Sequence, residues 1–207
     1  MVLSWAQFDR LMSSVLDQLG LRLESGQIDR LYRHYTLLDH WNRHISLTAI
    51  RDPEEVVVRH FGESLAVATL IGPGVGAVVD IGSGAGFPGA PIAVCWAGRH
   101  VTLVESSGKK GVFLKELVRP EGNLSVFVGR LEEFDGRAEW VTMRGVAARE
   151  VAGKVKRVAG KAAVIQSASR SSSAIEDLRM IEVEEHPMPW DPRTTVVVGQ
   201  VSRETES

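Results

Sequence analysis

The chain is poor in cysteine: among its 207 residues Cys95 stands alone. An internal disulfide is excluded, and no Cys/His group shows zinc-ligand spacing. Cys95 is expected as a small buried residue of a helix core rather than a nucleophile. Long apolar runs are also missing. The longest, Leu65–Ile71, stops at Gly72-Pro73-Gly74, far short of the roughly 20 residues that a membrane span requires. Residues 1–17 carry no basic stretch ahead of an apolar core, so no secretory leader is read there. The expectation is a soluble, cytoplasmic, monomeric protein without a membrane partner. A nucleophile–base arrangement is absent too: none of the six histidines has an acidic or thiol partner at a recognisable spacing. No internal repeat is present. What remains is a chain of 44% hydrophobic residues, enough at this length to bury roughly 70% of its unfolded surface. One α/β domain with a modest extension is the natural organisation.

Charge is nearly balanced, at −2, but unevenly spread. Residues 144–170 hold Arg144, Arg149, Lys154, Lys156, Arg157, Lys161 and Arg170 against Glu150, so seven minus one gives +6. Residues 171–207 hold three arginines against eight acids, giving −5. Such asymmetry creates either a phosphate-binding face or a solvated helix face.

The first 72 residues read as helical. Ser4-Trp5-Ala6-Gln7 is a capping-box pattern and predicts a helix over 4–19, ending near Gly20. Ile28, Leu31, Tyr32, Tyr35, Leu38 and Trp41 recur at helical spacing and predict a second helix from Ser25 to Arg43. Asp52-Pro53-Glu54-Glu55 starts a third, which runs to Gly72. From residue 77 the pattern changes to short β-branched runs: 77–81, 101–104, 124–128, 140–143, 161–166, 180–184 and 194–201. Helices near 88–97 and 108–119 separate the first of them. The alternation predicts a mostly parallel, Rossmann-like sheet covered on both faces, the last two strands forming an antiparallel pair at its edge. Residues 167–173 are serine-rich and read as a loop.

The segment Asp80-Ile81-Gly82-Ser83-Gly84-Ala85-Gly86-Phe87-Pro88-Gly89 carries most of the chemistry. A buried strand runs into three alternating glycines, and proline opens a helix whose N-terminus is expected to offer free amides. Glu105 ends the next strand, 21 residues after Gly84, where an acid accepts hydrogen bonds from ribose hydroxyls. Glycine turn and acid together point to an adenosine-containing ligand. Gly84–Gly89 also fits the dinucleotide pattern. Against NAD stand Asp80, which would face a pyrophosphate unfavourably, and bulky Phe87-Pro88. Both suit S-adenosylmethionine, with its cationic amino-acid end. Lys109 and Lys110 open a helix where positive charge meets the positive end of the dipole. That placement fits phosphate contact, or lysines extended into solvent.

Three stretches together resemble one family: Trp41–Thr48 with Arg51-Asp52 and Arg59-His60; Asp80–Gly89 with Pro91; and Glu105–Lys110 followed by Phe113-Leu114. In this order they are similar to the bacterial 16S ribosomal RNA guanine-N7 methyltransferases of the RsmG/GidB family. The likeness continues through Gly129–Phe134 to Arg144. It implies a class I methyltransferase core (73–207) behind an N-terminal helical extension (1–72). It implies S-adenosylmethionine as cofactor and, as substrate, a guanine in the decoding-region 530 loop of 16S rRNA or the small subunit. Asp80, Gly82, Gly84, Gly86, Phe87 and Glu105 would form the cofactor site, with Leu131 and Glu132 bordering the adenine. Arg144 would lie at the catalytic pocket, on guanine or on the cofactor carboxylate. Lys109, Lys110 and Arg157 would contact RNA. The chain departs from the family pattern at Ser46, Gly145 and Gln166-Ser167. A small-molecule methyltransferase of the same fold and a non-catalytic RNA-binding relic are the alternatives.

Overall fold

The structure is a computed structural model and describes residues 2–202. The expected ranges 1–72 and 73–207 take in residue 1 and residues 203–207, which lie outside the described residues. Helix α1 spans Trp5–Leu19. Ser4 and Gln7 close the capping box, and Gly20, at φ 61°, ends the helix by donating to the Asp17 and Leu16 carbonyls. Helix α2 spans Ser25–Asn42 and buries Ile28, Leu31, His34, Tyr35 and Leu38. The third expected helix is continuous but not uniform. It comprises α3 (Pro53–Val56), a π turn (Val57–Gly62) and α4 (Glu63–Ile71). Asp52 caps it by accepting from the Glu55 amide at 2.8 Å. At Gly62 a side chain would meet the Trp190 ring at 2.9 Å, so this turn passes the sheet's last hairpin at glycine distance.

Seven strands follow: β1 (Val78–Ile81), β2 (Val101–Glu105), β3 (Leu124–Val128), β4 (Ala138–Arg144), β5 (Ala159–Ser167), β6 (Met180–Met188) and β7 (Asp191–Val201). Their order is β3-β2-β1-β4-β5-β7-β6. The first five are mutually parallel, with Val78 opposite both Val101 and Trp140. Strand β7 alone runs against them, inserted between β5 and β6 with Ala163 opposite Val198. The expected antiparallel pair therefore sits at the sheet's edge, its reversed member one strand in.

The period of two assigns each residue a face. Val78, Leu103, Ala163, Ile165, Val196 and Val198 join α1, α2 and α4 in one core, with α5 (Gly89–Cys95) and α6 (Gly108–Val118). Val79, Ile81, Val104, Val141, Met143 and Val164 form the other core, with α7 (Ala148–Val158) and α8 (Ser171–Leu178). Burial on both faces is the reason these strands read as continuous apolar runs. Cys95 is buried at the end of α5, and burial pushes its thiol up to about 12. The serine-rich segment is not a loop. A short 3-10 turn leads into α8, where the Ser171 and Ser173 hydroxyls donate to the carbonyls of Ala168 and Arg170. Local hydroxyl bonds and the buried Ala174 and Leu178 outweigh the weak helix preference of serine. No helix among the described residues is long and apolar enough to cross a membrane.

Candidate active site

Loops at the carboxyl ends of β1, β2 and β4 face the helical extension across a cleft of ≈ 640 Å³. Ligands of open α/β sheets bind at this end. The core lines the cleft with Gly82–Ala85, Phe87, Lys110, Arg144 and Gly145, and the extension with Leu47–Ile50, Arg59 and His60.

The glycine turn holds its shape through positive φ at Gly82 (69°), Gly84 (56°) and Gly86 (87°). At Gly82 a Cβ would stand 2.5 Å from Val146, whereas at Gly84 nothing but the Gly82 carbonyl, at 3.8 Å, lies within 4 Å. The backbone at Gly84 is thus open to a ligand. Its amide donates to Glu105 Oε2 at 2.9 Å, and the Ser107 amide donates to Oε1 at 2.8 Å. Two amides therefore fix a 6% exposed carboxylate at the end of β2, and a carboxylate accepts about four hydrogen bonds. Acceptor capacity remains for a ribose diol.

The expectation of free amides at the start of α5 is not met. Gly82 and Ser83 donate to the Val104 carbonyl, Gly86 and Phe87 to Ser83, Ala90 to Gly86, and Gly89 to Asp80 Oδ2 at 3.2 Å. Pro88 and Pro91 have no amide hydrogen. Asp80 itself is fully buried under α5, on the side of the sheet where Gly89 and the Thr142 hydroxyl donate to it, and it does not line the cleft. Burial pushes its carboxyl up to about 7. Asp80 therefore shapes the turn from beneath, and the case against a pyrophosphate rests on the engaged amides.

Phe87 lines the cleft from between two histidines. Its ring is stacked with His34 (4.5 Å, 15°) and His60 (4.8 Å, 11°), one histidine on each face. Nε2 of His34 lies 2.7 Å from the Ala85 carbonyl, and Nε2 of His60 lies 2.7 Å from Thr48 Oγ1. His60 thus meets a loop hydroxyl, and its Nδ1 is buried without a partner among the described residues. Burial drives His34 down to about 4, and burial with Arg144 nearby drives His60 to about 3, so both are neutral near pH 7.

Arg144 ends β4 and lines the cleft, and its acid partner is Glu63 of α4. Nε and Nη2 each lie 2.8 Å from Glu63 Oε2, and Nη2 also reaches the Arg59 carbonyl at 3.4 Å. Nη1 has no partner among the described residues. Burial raises the Glu63 carboxyl while Arg144 and Arg59 pull it down, and the net direction is upward. Gly145 follows at φ 71°, a left-handed turn that alanine would strain.

Leu131 is buried and Glu132 exposed in a 3-10 turn beyond β3, where the Gly129 amide donates to the Glu105 carbonyl. Lys109 is exposed and Lys110 half-buried at the cleft. Arg157 is elsewhere: α7 starts beside the cleft and runs back to the start of β5, which places Arg157 at the opposite end of the sheet. The basic 144–170 segment is not one face either. Lys154 donates to the Glu132 carbonyl, and Lys161 pairs with Glu139 at 3.2 Å above the Trp140 ring. Arg59 from the extension supplies a cation that charge counting within 144–170 passed over, although it stands in the quoted Arg59-His60 pair. Glu63 and His34 carried no sequence signal beyond helical spacing. No group of three potential metal ligands occurs among the described residues.

A sheet of this order, with a glycine turn after β1 and a buried acid after β2, is that of a Rossmann-like class I methyltransferase. Solved structures agree. An S-adenosylmethionine-dependent methyltransferase from Aquifex aeolicus covers 73% of this chain and 94% of its own, with TM-score 0.61 and 15% identity. Magnesium protoporphyrin IX methyltransferase from Synechocystis, solved with S-adenosylmethionine bound, covers 87% and 98%, with TM-score 0.56 and 16% identity. The family model described as rRNA small subunit methyltransferase G matches residues 27–179. Ribosomal RNA small subunit methyltransferase G of Roseiflexus sp. is 36% identical over 204 residues, covering 88% of this chain and 87% of that protein. The Xylella fastidiosa relative of the same name is 45% identical over 134 residues, 59% of this chain and 62% of its own length. The chain belongs to the rRNA small subunit methyltransferase G family.

Proposed function

We propose that this protein transfers a methyl group from S-adenosylmethionine to N7 of a guanine in the 530 loop of 16S ribosomal RNA. The observation that carries the reading is one cleft uniting the glycine turn and Arg59, Lys110 and Arg144. The residues fit the cofactor: Glu105 keeps acceptor capacity for ribose hydroxyls, Gly84 leaves its backbone open, and the turn offers almost no free amides to a pyrophosphate. Bound there, S-adenosylmethionine supplies an electrophilic sulfonium methyl.

The chain's own residues then have to position and enclose. Glu105 holds the ribose and the Leu131–Glu132 turn borders the adenine. Guanine N7 carries a lone pair and no proton, so the attack needs no general base. The two nearest histidines, both kept neutral and engaged, are consistent with that. Arg144 Nη1 donates to the guanine O6 and so orients N7, while Glu63 fixes the guanidinium from behind. Arg59 and Lys110 neutralise backbone phosphates, which sets register without reading sequence. The core that joins the extension to one face of the sheet holds these groups on rigid elements. On this reading the protein acts in the cytoplasm, as a monomer on the small subunit.

Calorimetry with S-adenosylmethionine and with NAD tests the cofactor. Binding of S-adenosylmethionine alone is expected, and tighter binding of NAD would overturn the reading.

A further inference from the structure

The glycine turn is gripped from outside the methyltransferase core by one side chain of the extension. We propose that His34 is a positioning residue for the cofactor: its Nε2–H holds the Ala85 carbonyl and so sets Gly84–Gly86 in the shape that receives the adenosyl group. The inference rests on S-adenosylmethionine being the ligand.

Ala85's carbonyl is an acceptor only, so at 2.7 Å the His34 Nε2 carries the proton. Burial keeps the ring neutral, which leaves one proton to place and one nitrogen to donate it. The ring lies flat on Phe87 at 4.5 Å and edge-on to Phe61 at 5.3 Å, so its orientation is fixed. Its Cε1 and Nε2 also occupy the space beside Gly86, 3.3 and 3.4 Å from where a Cβ would stand. A leucine would fill this 3% exposed position without the cost of burying a polar ring. The bond to Ala85 is what offsets that cost.

The turn needs such a grip. Three glycines at positive φ within five residues leave the turn few side chains of its own to hold its shape. Glu105 restrains the Gly84 amide from the β2 side, and His34 restrains the next carbonyl from the α2 side. The two contacts flank a single residue pair, Gly84-Ala85, which lines the cleft. Fixing a binding loop in its bound shape raises affinity by removing the ordering cost.

Two variants separate donation from packing. His34→Gln keeps an N–H donor and loses the stacked ring; His34→Phe keeps the ring and loses the donor. S-adenosylmethionine affinity is measured by calorimetry on each, with circular dichroism and thermal melting to confirm folding. The expected result is near wild-type affinity for His34→Gln and roughly tenfold weaker binding for His34→Phe, the net worth of one hydrogen bond. KM for S-adenosylmethionine should rise in step for His34→Phe, with kcat at saturation and RNA affinity unchanged. Wild-type affinity in folded His34→Phe, or loss in His34→Gln alone, overturns the assignment and leaves His34 as core packing. Should neither variant fold, NMR of the wild type decides. A through-bond coupling from His34 Nε2 to the Ala85 carbonyl supports the grip, and its absence overturns it. Wild-type protein that fails to bind S-adenosylmethionine overturns the cofactor reading instead.

Discussion

Glu63 and Arg144 meet across the seam between the extension and the sheet, the carboxylate almost wholly buried and the guanidinium at the cleft. Removing either partner leaves the other without its counter-charge. Glu63→Ala is expected to destabilise the fold by roughly 3 kcal/mol, the lower end for breaking a buried pair, as read from chemical denaturation. Arg144→Lys keeps the charge and loses the planar fork. Turnover at saturating S-adenosylmethionine should fall about a hundredfold, the effect of losing one oriented donor, with cofactor affinity little changed. A fall in affinity with intact turnover would move Arg144 from guanine to the cofactor carboxylate.

Glu105 is asked to do two things: pin the Gly84 and Ser107 amides and receive the ribose. Glu105→Ala should weaken S-adenosylmethionine binding by roughly 1.5–3 kcal/mol, the worth of hydrogen bonds to a charged acceptor. Unchanged calorimetric affinity in a folded variant would remove Glu105 from the site.

RNA affinity should depend on the cleft end of the sheet and not on the whole basic segment. Lys110→Ala is expected to lower the slope of log affinity against log salt by about 0.7–0.9, one phosphate contact. Arg157→Ala, at the far end, should leave the slope unchanged. The reverse pattern would relocate the RNA face to α7.

Acid should weaken the extension first. His34 and His60 sit at about 4 and about 3 in the fold, below the ordinary 6.5. Their neutral forms are favoured by folding, so the associated stability is complete above pH 6.5 and is lost as pH falls toward 4. Asp80, raised to about 7, and Glu63, also raised, work in the opposite sense. The sign is isolated by comparing wild type with the His34→Gln/His60→Gln double variant. Their stability difference should be flat above pH 6.5 and shift against the wild type below it, by at most about 1.4 kcal/mol per pH unit for each histidine. A difference independent of pH would mean that both rings are protonated as freely in the fold as in water.

Periodicity made the frame legible. The short apolar run of β5 and the caps at Ser4, Asp52 and Gly20 are local, so the residues themselves announce them. The position of Glu105 at the end of β2, beside Gly84, was legible because it is set by distance along one strand–helix–strand unit. The partners of the Asp80 carboxylate were not legible, because strand position does not say that Gly89 and Thr142 claim it from below the turn. The distance of Arg157 from the cleft was not legible, because a charge count ignores that an eleven-residue helix carries its two ends to opposite ends of the strands. The partners Glu63–Arg144 and His34–Ala85 are 81 and 51 residues apart. No local pattern encodes contacts that only the docking of the extension creates.

The central claim is methyl transfer to guanine N7 of small-subunit RNA. Purified protein, S-adenosylmethionine carrying a labelled methyl and unmethylated 16S rRNA or small subunits provide the assay, with 7-methylguanosine located by borohydride–aniline cleavage. Label confined to one N7-methylguanine of the 530 loop, and lost with Arg144→Ala, is the expected result. Label at another atom or outside that loop, or none from protein that binds S-adenosylmethionine, would contradict it.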